Sequence, residues 1–263
     1  MMNFRARLSS YIEPIQPLKF AVWALYVTIR DAIRAQGVKA IAGAGKWRHD
    51  AFSLWFRTLS PHFIRMERAS EVPRLVASAE GTILELGPGL GNQIPVFDRA
   101  KVGHIYGIEI NGSFIPDLKN QVTECGLDGK YTVIHCGVED ADVLEEHGIK
   151  PGTIDSIVSI QVFCSAAQPD AVAKEMYRLL KPGGKLIFWE HHKCQDFVTR
   201  IFQNLWNISW SFLVGCEINR DIMSMLKSAG AWKNIDAIET NEQKRPWGLM
   251  PRSWGVLVKA DEN

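Results

Sequence analysis

The chain is poor in cysteine and carries almost no net charge. Its five cysteines are an odd number among 263 residues, and Cys125, Cys136, Cys164, Cys194 and Cys216 form no Cys-x-x-Cys pair. This spacing predicts neither a disulfide framework nor a zinc site, so we expect no metal and a reducing, intracellular compartment. The formal charge of +1 comes from 30 basic and 29 acidic residues, which argues against a nucleic-acid partner.

Long hydrophobic runs are also missing. The apolar run Phe20–Ile29 is bounded by charged residues and is shorter than the about 20 apolar residues that span a bilayer. It predicts either an interfacial helix, with Trp23 and Tyr26 at headgroup level, or a helix packed on the domain or on a partner subunit. No signal-peptide cleavage site is recognisable. We expect a cytoplasmic protein; peripheral contact with an intracellular membrane and homo-oligomerisation stay open.

A glycine-rich loop directly follows a short apolar run. Thr82–Gly91 reads T-I-L-E-L-G-P-G-L-G. Its first half predicts a buried parallel strand, and its glycines allow a tight turn close to a ligand. A helix predicted over Asn92–Ala100 would complete the strand, loop and helix that open a nucleotide-type cofactor site. A tight turn without a ligand is the alternative.

The loop departs from the dinucleotide fingerprint. G-x-G-x-x-G would require a glycine where this chain has Asn92. Glu85, at the end of the strand, would repel a pyrophosphate but can accept hydrogen bonds from an ammonium group. The pattern therefore favours a cofactor with an amino-acid part.

The ends of later strands add candidate ligands. His104–Ile110 predicts a second strand, and Glu109 stands about 20 residues past the glycines, where a carboxylate holds a ribose diol; an exposed strand-end acid is the alternative. After a third predicted strand, Tyr131–Cys136, Val138 can pack on an adenine ring. Glu139 is equally typical of the first turn of a helix, where the helix dipole favours acids.

The remaining pattern alternates between strands and helices. Further strands are predicted over Thr153–Ile160, Lys185–Glu190, Trp232–Glu239 and Ser253–Ala260, the last two as a hairpin. Pro169–Leu180 predicts an amphipathic helix that ends at the Pro-Gly-Gly of Lys181–Gly184. This order predicts an α/β fold: a Rossmann-like doubly wound, mostly parallel sheet with an antiparallel C-terminal strand. We expect an N-terminal helical segment over residues 1–68 and the main domain over residues 69–263.

In this order the motifs resemble class I S-adenosylmethionine-dependent methyltransferases. They are Glu85–Gly91, Glu109, Gly137–Asp140 and Leu180–Gly184. Cys164-Ser165, Trp189–His191 and Gly215–Arg220 are further similar to the methyltransferase-like 7 group of small-molecule thiol methyltransferases. The resemblance covers the chain from Ala69 to Lys259 and implies S-adenosylmethionine as the cofactor.

The resemblance also implies where the cofactor binds. The implied ligands are Glu85, Gly87, Pro88, Gly89, Gly91 and Asn92 for the methionyl part, Glu109 and Ile110 for the ribose and its surroundings, Gly137, Val138 and Glu139 near adenine, and Gln161 and Val162 beside the methyl group. Relatives often carry an acid at the position of Gly137, where it contacts the adenine amine. Glu139 or a backbone carbonyl would have to substitute.

Additions to the sheet would supply the acceptor site. Asp196–Val214 predicts a helix with too many apolar residues for one face, so we expect it to be buried on two sides or to line an apolar pocket. Lys46–Arg68, after a small-residue hinge at Gly37–Gly45, is expected to form helices that cap the cofactor pocket, with plain core packing as the competing interpretation. Lys244–Arg252 falls where a substrate-covering loop would lie.

Two histidines follow the fifth predicted strand. His191 and His192 point to opposite faces if the strand continues, and either could be a general base or bond a backbone carbonyl. A hydroxyl acceptor needs such a base, whereas a thiol needs little more than deprotonation. We predict in-line methyl transfer to a thiol or hydroxyl of a hydrophobic or aromatic small molecule, in small-molecule or secondary metabolism. Cyclisation or rearrangement without methyl transfer is the alternative, and a membrane-surface scaffold with a vestigial site is the third interpretation.

Overall fold

A computed structural model describes residues 4–39 and 44–261. Within them, a seven-stranded sheet has the order β3-β2-β1-β4-β5-β7-β6. The strands are β1 (Gly81–Leu86), β2 (Val102–Ile108), β3 (Tyr131–Ile134), β4 (Ile154–Ile160), β5 (Leu180–His191), β6 (Glu239–Thr240) and β7 (Arg252–Val258). The helices are α1 (Phe4–Tyr11), α2 (Ile15–Gln36), α3 (Ala44–Arg68), α4 (Val72–Val76), α5 (Ile115–Glu124), α6 (Ala141–Glu146), α7 (Pro169–Leu179), α8 (Phe197–Val214) and α9 (Ile222–Ala229).

Strand direction confirms the predicted fold class. The first five strands pair in parallel, and β7 runs antiparallel to β5. The chain order reverses between the neighbouring strands β1 and β4. In doubly wound sheets ligands bind in the crevice at the carboxyl ends of the strands at this point. The domain boundary at residues 68 and 69 stays a prediction.

Apolar side chains leave the sheet on both faces. Leu84 and Phe188 pack with the α7 residue Met176 on one face, and Ile83 and Leu118 pack together on the other. Because helices cover both faces, the strands read as near-continuous apolar runs in the sequence. Since helices cover both faces, the carboxyl edge of the sheet is where the strands can contribute residues to a ligand-binding site.

Two local predictions are wrong, and one predicted strand begins earlier than expected. Asn92–Ala100 forms only a 3-10 turn at Ile94–Val96, where Pro95 supplies no backbone N–H for a continuing helix. Strand β5 begins at Leu180 rather than after the Pro-Gly-Gly signal, and its register with β4 skips from Leu180 to Lys185, so the intervening residues bulge out. The strand predicted over Trp232–Glu239 is reduced to a bridge at Trp232 and the two-residue β6.

The helices α2, α3 and α8 form a separate layer. Their contact is an apolar cluster that includes Leu18, Trp55 and Trp210. The loop before β7 contacts α1 and the turn that follows it: Ser10 Oγ donates to the Trp247 carbonyl at 3.0 Å, and Arg245 pairs with Glu13 at 2.7 Å. The predicted Gly37–Gly45 hinge lies partly outside the described residues. No helix within residues 4–39 and 44–261 combines the length and hydropathy that a membrane crossing needs.

Helix α8 corrects another prediction. It is neither buried on two sides nor folded around a pocket, because most of its apolar side chains face outward. The exposed ones are Phe197, Val198, Ile201, Phe202, Leu205, Ile208 and Phe212. Its buried side chains include the polar residues Thr199 and Gln203, both 0% exposed. The helix therefore presents an apolar surface to solvent and buries a glutamine.

Candidate active site

The loop after β1 turns through three glycines in the left-handed region. Their φ angles are 53° at Gly87, 60° at Gly89 and 81° at Gly91, which strain any residue with a Cβ. A Cβ at Gly87 would lie 3.1 Å from Val162, and one at Gly89 would lie 3.1 Å from the Phe56 ring. The loop is therefore held closely between the end of β4 and helix α3, as the glycine pattern predicts.

Glu109 reaches this loop from the end of β2. Its Oε2 accepts a hydrogen bond from the Gly89 N–H at 2.8 Å, and its Oε1 accepts one from the Asn111 N–H at 2.7 Å. Burial raises the pKa of the Glu109 carboxyl, while both backbone bonds oppose that change. The adjacent side chain of Ile110 is exposed. The structure thus joins the glycine loop to an acid 20 residues further along the chain.

Glu85 lies beneath the loop and is buried. Its Oε2 accepts a hydrogen bond from the Tyr131 hydroxyl at 2.6 Å. Burial raises the pKa of Glu85 to about 7, the Tyr131 bond lowers it, and the charge of Glu109 raises it. One of its oxygens is therefore engaged inside the sheet.

The segment after β3 forms a compact turn. The Gly137 N–H donates to Asp140 Oδ2 at 2.7 Å, and a Cβ at Gly137 would lie 2.6 Å from Glu139 Oε2. The Glu139 carboxylate thus occupies the space that a side chain at position 137 would take. Val138 is buried in the same cluster as Leu86, at the end of β1.

Helix α3 covers the loop from above. Ser60 Oγ donates to Asn92 Oδ1 at 3.0 Å, and Asn111 Nδ2 donates to Ser53 Oγ at 2.9 Å. Phe56 lies over Gly89 between these two polar contacts. The segment forms one continuous helix instead of several, and its role as a cap over a cofactor pocket stays a prediction.

A network of five polar side chains, four of them buried, lies at the carboxyl edge of the sheet. Glu67 of α3 accepts hydrogen bonds from Gln93 Nε2 and Gln161 Nε2, both at 2.7 Å. Arg252 donates from Nη2 to Gln161 Oε1 at 3.2 Å and from Nη1 to His191 Nδ1. Glu67 and Gln93 were missed in the sequence, because nothing local distinguishes them from surface residues; Arg252, predicted in a loop, begins β7.

The end of β4 is strained. Gln161 has φ = 60° and is, among the described residues, the one non-glycine residue with a positive φ, a conformation that concentrates at functional sites. The next N–H, from Val162, donates to Glu190 Oε1 at 2.8 Å. Burial raises the pKa of Glu190 to about 8, and its Oε2 has no hydrogen-bond partner among the described residues.

The two histidines have different hydrogen-bond partners, and strand β5 ends at His191. Arg252 donates to His191 Nδ1, so the neutral ring carries its proton on Nε2. Burial and the Arg252 charge lower the pKa of His191 well below its usual value. His192 Nε2 lies 2.7 Å from Glu242 Oε2. These contacts argue against a general-base role for His191, and the base assignment of either histidine stays a prediction.

Comparison with known proteins matches the same part of the chain. The family model described as a methyltransferase domain matches residues 84–188, from β1 to β5. Thiol S-methyltransferase TMT1B of Rattus norvegicus is 31% identical over 104 residues, which are 39% of this chain and 39% of that protein. The chain spans about two fifths of the length of the curated thiol methyltransferases that it matches.

Two solved structures share the fold at low identity. An O-methyltransferase family protein from Burkholderia thailandensis has a TM-score of 0.59 at 17% identity, covering 96% of this chain and 73% of that chain. The [4+2]-cyclase SpnF has a TM-score of 0.55 at 17% identity, covering 73% and 81%. These likenesses show the fold. Residues 84–188 thus match a methyltransferase domain, in a chain that is similar to the thiol S-methyltransferases over about two fifths of its length.

Proposed function

We propose that the protein transfers the methyl group of S-adenosylmethionine to the thiol or hydroxyl of a hydrophobic small molecule. The supporting observation is the hydrogen bond from the Gly89 N–H to Glu109. It lies where the strand order reverses, in the part of the chain that matches a methyltransferase domain. Similarity to thiol S-methyltransferases favours sulfur as the acceptor atom.

The residues at the switch point fit this cofactor. The backbone bonds to Glu109 aim its carboxylate at the loop, where its remaining lone pairs can accept from a ribose diol. Exposed Ile110 offers an apolar face to adenine. We assign Glu85 and the glycine loop to the methionyl part, and Gln161 with Val162 to the surroundings of the methyl group. When bound, S-adenosylmethionine supplies an electrophilic methyl group, and the chain supplies alignment and exclusion of water.

Calorimetric titration of the purified chain with S-adenosylmethionine tests this assignment. We expect Glu109→Ala to weaken binding at least about tenfold, because two ribose hydroxyls lose a charged acceptor. Glu124→Ala, an exposed acid on α5, is the control and should bind like the unmodified chain. Absence of binding, or equal affinity in Glu109→Ala, would overturn the proposal.

Mass spectrometry of the product separates methyl transfer from the alternative chemistry. Methylation adds one methylene unit to the acceptor, whereas a cyclisation or rearrangement leaves its mass unchanged. The likeness to the cyclase SpnF is one of fold, so it gives no preference to the second reaction.

We also propose that the outer face of α1, α2 and α8 rests on a lipid bilayer. The exposed α8 stripe runs from Phe197 to Phe212, about 22 Å of helix, and no charged residue lies between Ile201 and Cys216. Trp23 of α2 is exposed as well, and its ring suits the headgroup level of a membrane. Uncharged apolar surface of this extent on a soluble domain marks an interaction site.

Flotation with phosphatidylcholine vesicles tests this surface. The unmodified chain should float, and the double variant Leu205→Ser, Ile208→Ser should float at most about half as well, because each change removes an exposed apolar side chain that the bilayer would cover. Ser209→Ala on the same helix is the control. Equal flotation of the double variant would exclude α8 from the contact.

A further inference from the structure

We propose that Arg252 forms an anion subsite at the acceptor end of the cleft and binds the acceptor as its thiolate. This inference rests on the proposed methyl transfer and names the acceptor class within it: thiols in preference to alcohols. The residue acts through direct contact with the acceptor sulfur.

Arg252 is a buried cation without an anionic partner. Its side chain is 9% exposed, and its guanidinium donates to the neutral acceptors Gln161 Oε1, His191 Nδ1 and the Met250 carbonyl, the last at 3.0 Å. Its Nε–H has no hydrogen-bond partner among the described residues. No carboxylate of residues 4–39 or 44–261 comes within ion-pair distance of it. A buried guanidinium ordinarily has a charged partner, because desolvation is costly.

The surrounding titratable groups leave that charge largely uncompensated. The groups that face Arg252 are Glu67 of α3, Glu190 and His191 of β5, Cys164 after β4 and Cys216 after α8. His192, the next residue after His191, pairs with Glu242 instead. Burial raises the pKa of Glu190 to about 8, so this acid is mostly uncharged at pH 7. Glu67 contacts Arg252 only through the Gln161 amide. Burial lowers the pKa of Arg252 to about 10, which leaves it charged at neutral pH.

The position of Arg252 links it to the cofactor loop. Gln161, its hydrogen-bond partner, immediately precedes Val162, and the Val162 side chain abuts Gly87. The Arg252 guanidinium also lies 4.7 Å from the centre of the Trp189 ring. An acceptor entering beside Gln161 would therefore meet a cation, which suits an anionic sulfur.

The chemistry follows from the charge. A thiol with a pKa near 8.5 releases its proton to solvent more readily beside a cation. The thiolate lone pair then forms the new carbon–sulfur bond to the methyl group, and the old carbon–sulfur bond of the cofactor breaks with its electron pair staying on the cofactor sulfur. This route needs no histidine base, which agrees with the occupied Nδ1 of His191. An aliphatic alcohol does not ionise under the same conditions.

Proton release on binding tests the subsite without turnover. Phenylmethanethiol is titrated calorimetrically into the chain at pH 7 in two buffers of different ionisation enthalpy, with phenylmethanol as the matched alcohol. We expect the unmodified chain to release close to one proton per thiol and none per alcohol. Arg252→Gln should weaken thiol binding at least tenfold, change alcohol binding less than twofold and abolish proton release.

Two further variants keep the test decisive. Arg252→Lys retains the charge and should retain most of the proton release, while Arg74→Gln on α4 should behave like the unmodified chain. Thiol binding without proton release in the unmodified chain, or unchanged release in Arg252→Gln, would overturn the subsite. Either result would leave the proposed methyl transfer standing if S-adenosylmethionine still binds. Failure of the proposed methyl transfer would appear instead as absence of binding in the titration with S-adenosylmethionine.

Discussion

The carboxyl edge of the sheet and helix α8 use polarity in opposite ways. At the sheet edge, glycines and acids follow apolar strands, and the structure brings Gly89 and Glu109 together as their order predicts. In α8 most of the apolar side chains face solvent, and Gln203 is fully buried. The comparison teaches that a site built from strand ends can be predicted from the sequence. The orientation of a helix depends instead on contacts with residues that are distant in the sequence.

On its inner side, α8 presents Gln203 to backbone groups that need hydrogen-bond partners. Gln203 Nε2 lies within hydrogen-bond distance, 2.8–3.2 Å, of the carbonyls of His192, Ile218 and Leu249, and its Oε1 accepts from the Cys194 N–H at 2.9 Å. One side chain thus satisfies backbone groups of three separate segments. Buried backbone groups without such partners are costly, which accounts for the buried glutamine on a helix whose Leu205 is exposed.

The largest expected effect is on Gln203. Gln203→Leu should lower the free energy of unfolding by about 3 kcal/mol, because it leaves buried carbonyls and an N–H unpaired. Urea unfolding measures the change, and Asn204→Leu on the outer face should alter stability by less than about 0.5 kcal/mol. Equal stability of the two variants would mean that the hydrogen bonds of Gln203 contribute little to holding α8 in place.

Much of the sheet edge could be predicted from the sequence, and the reasons are local. Parallel strands place their carboxyl ends at one edge, so Glu85, the glycines and Glu109 converge once the strands are recognised. Glu67 and Gln93 could not be found, because their partners are distant in sequence and their local patterns are ordinary. The outward face of α8 could not be found either, since a list of apolar residues does not say which of them a neighbour will cover.

An intermediate effect is expected from the pH dependence of Glu190. Burial raises its pKa from 4.5 to about 8, so the folded chain keeps a proton that the unfolded chain releases. Its contribution to stability is therefore greatest below pH 4.5 and falls as pH rises to about 8. Glu190→Gln should remove this fall, which is at most about 1.4 kcal/mol per pH unit. Urea unfolding at pH 5.5, 6.5 and 7.5 measures this fall. If the stability of Glu190→Gln changed with pH in the same way as that of the unmodified chain, Glu190 would not be a buried, protonated acid.

The smallest effect is expected on the outer face of α8. The double variant Leu205→Ser, Ile208→Ser should change the free energy of unfolding by less than about 1 kcal/mol, because both side chains are exposed, at 60% and 71%. Thermal unfolding in the absence of lipid measures it. A loss of several kcal/mol would show that these residues are part of the core.

Methyl transfer itself tests the central claim most directly. The purified chain is incubated with S-adenosylmethionine labelled in its methyl group, together with either phenylmethanethiol or phenylmethanol. We predict label in the thioether product, at least about tenfold less in the alcohol because it does not ionise, and loss of label with Glu109→Ala. Absence of label from both acceptors, with S-adenosylmethionine bound, would contradict the proposed transfer to a thiol or hydroxyl.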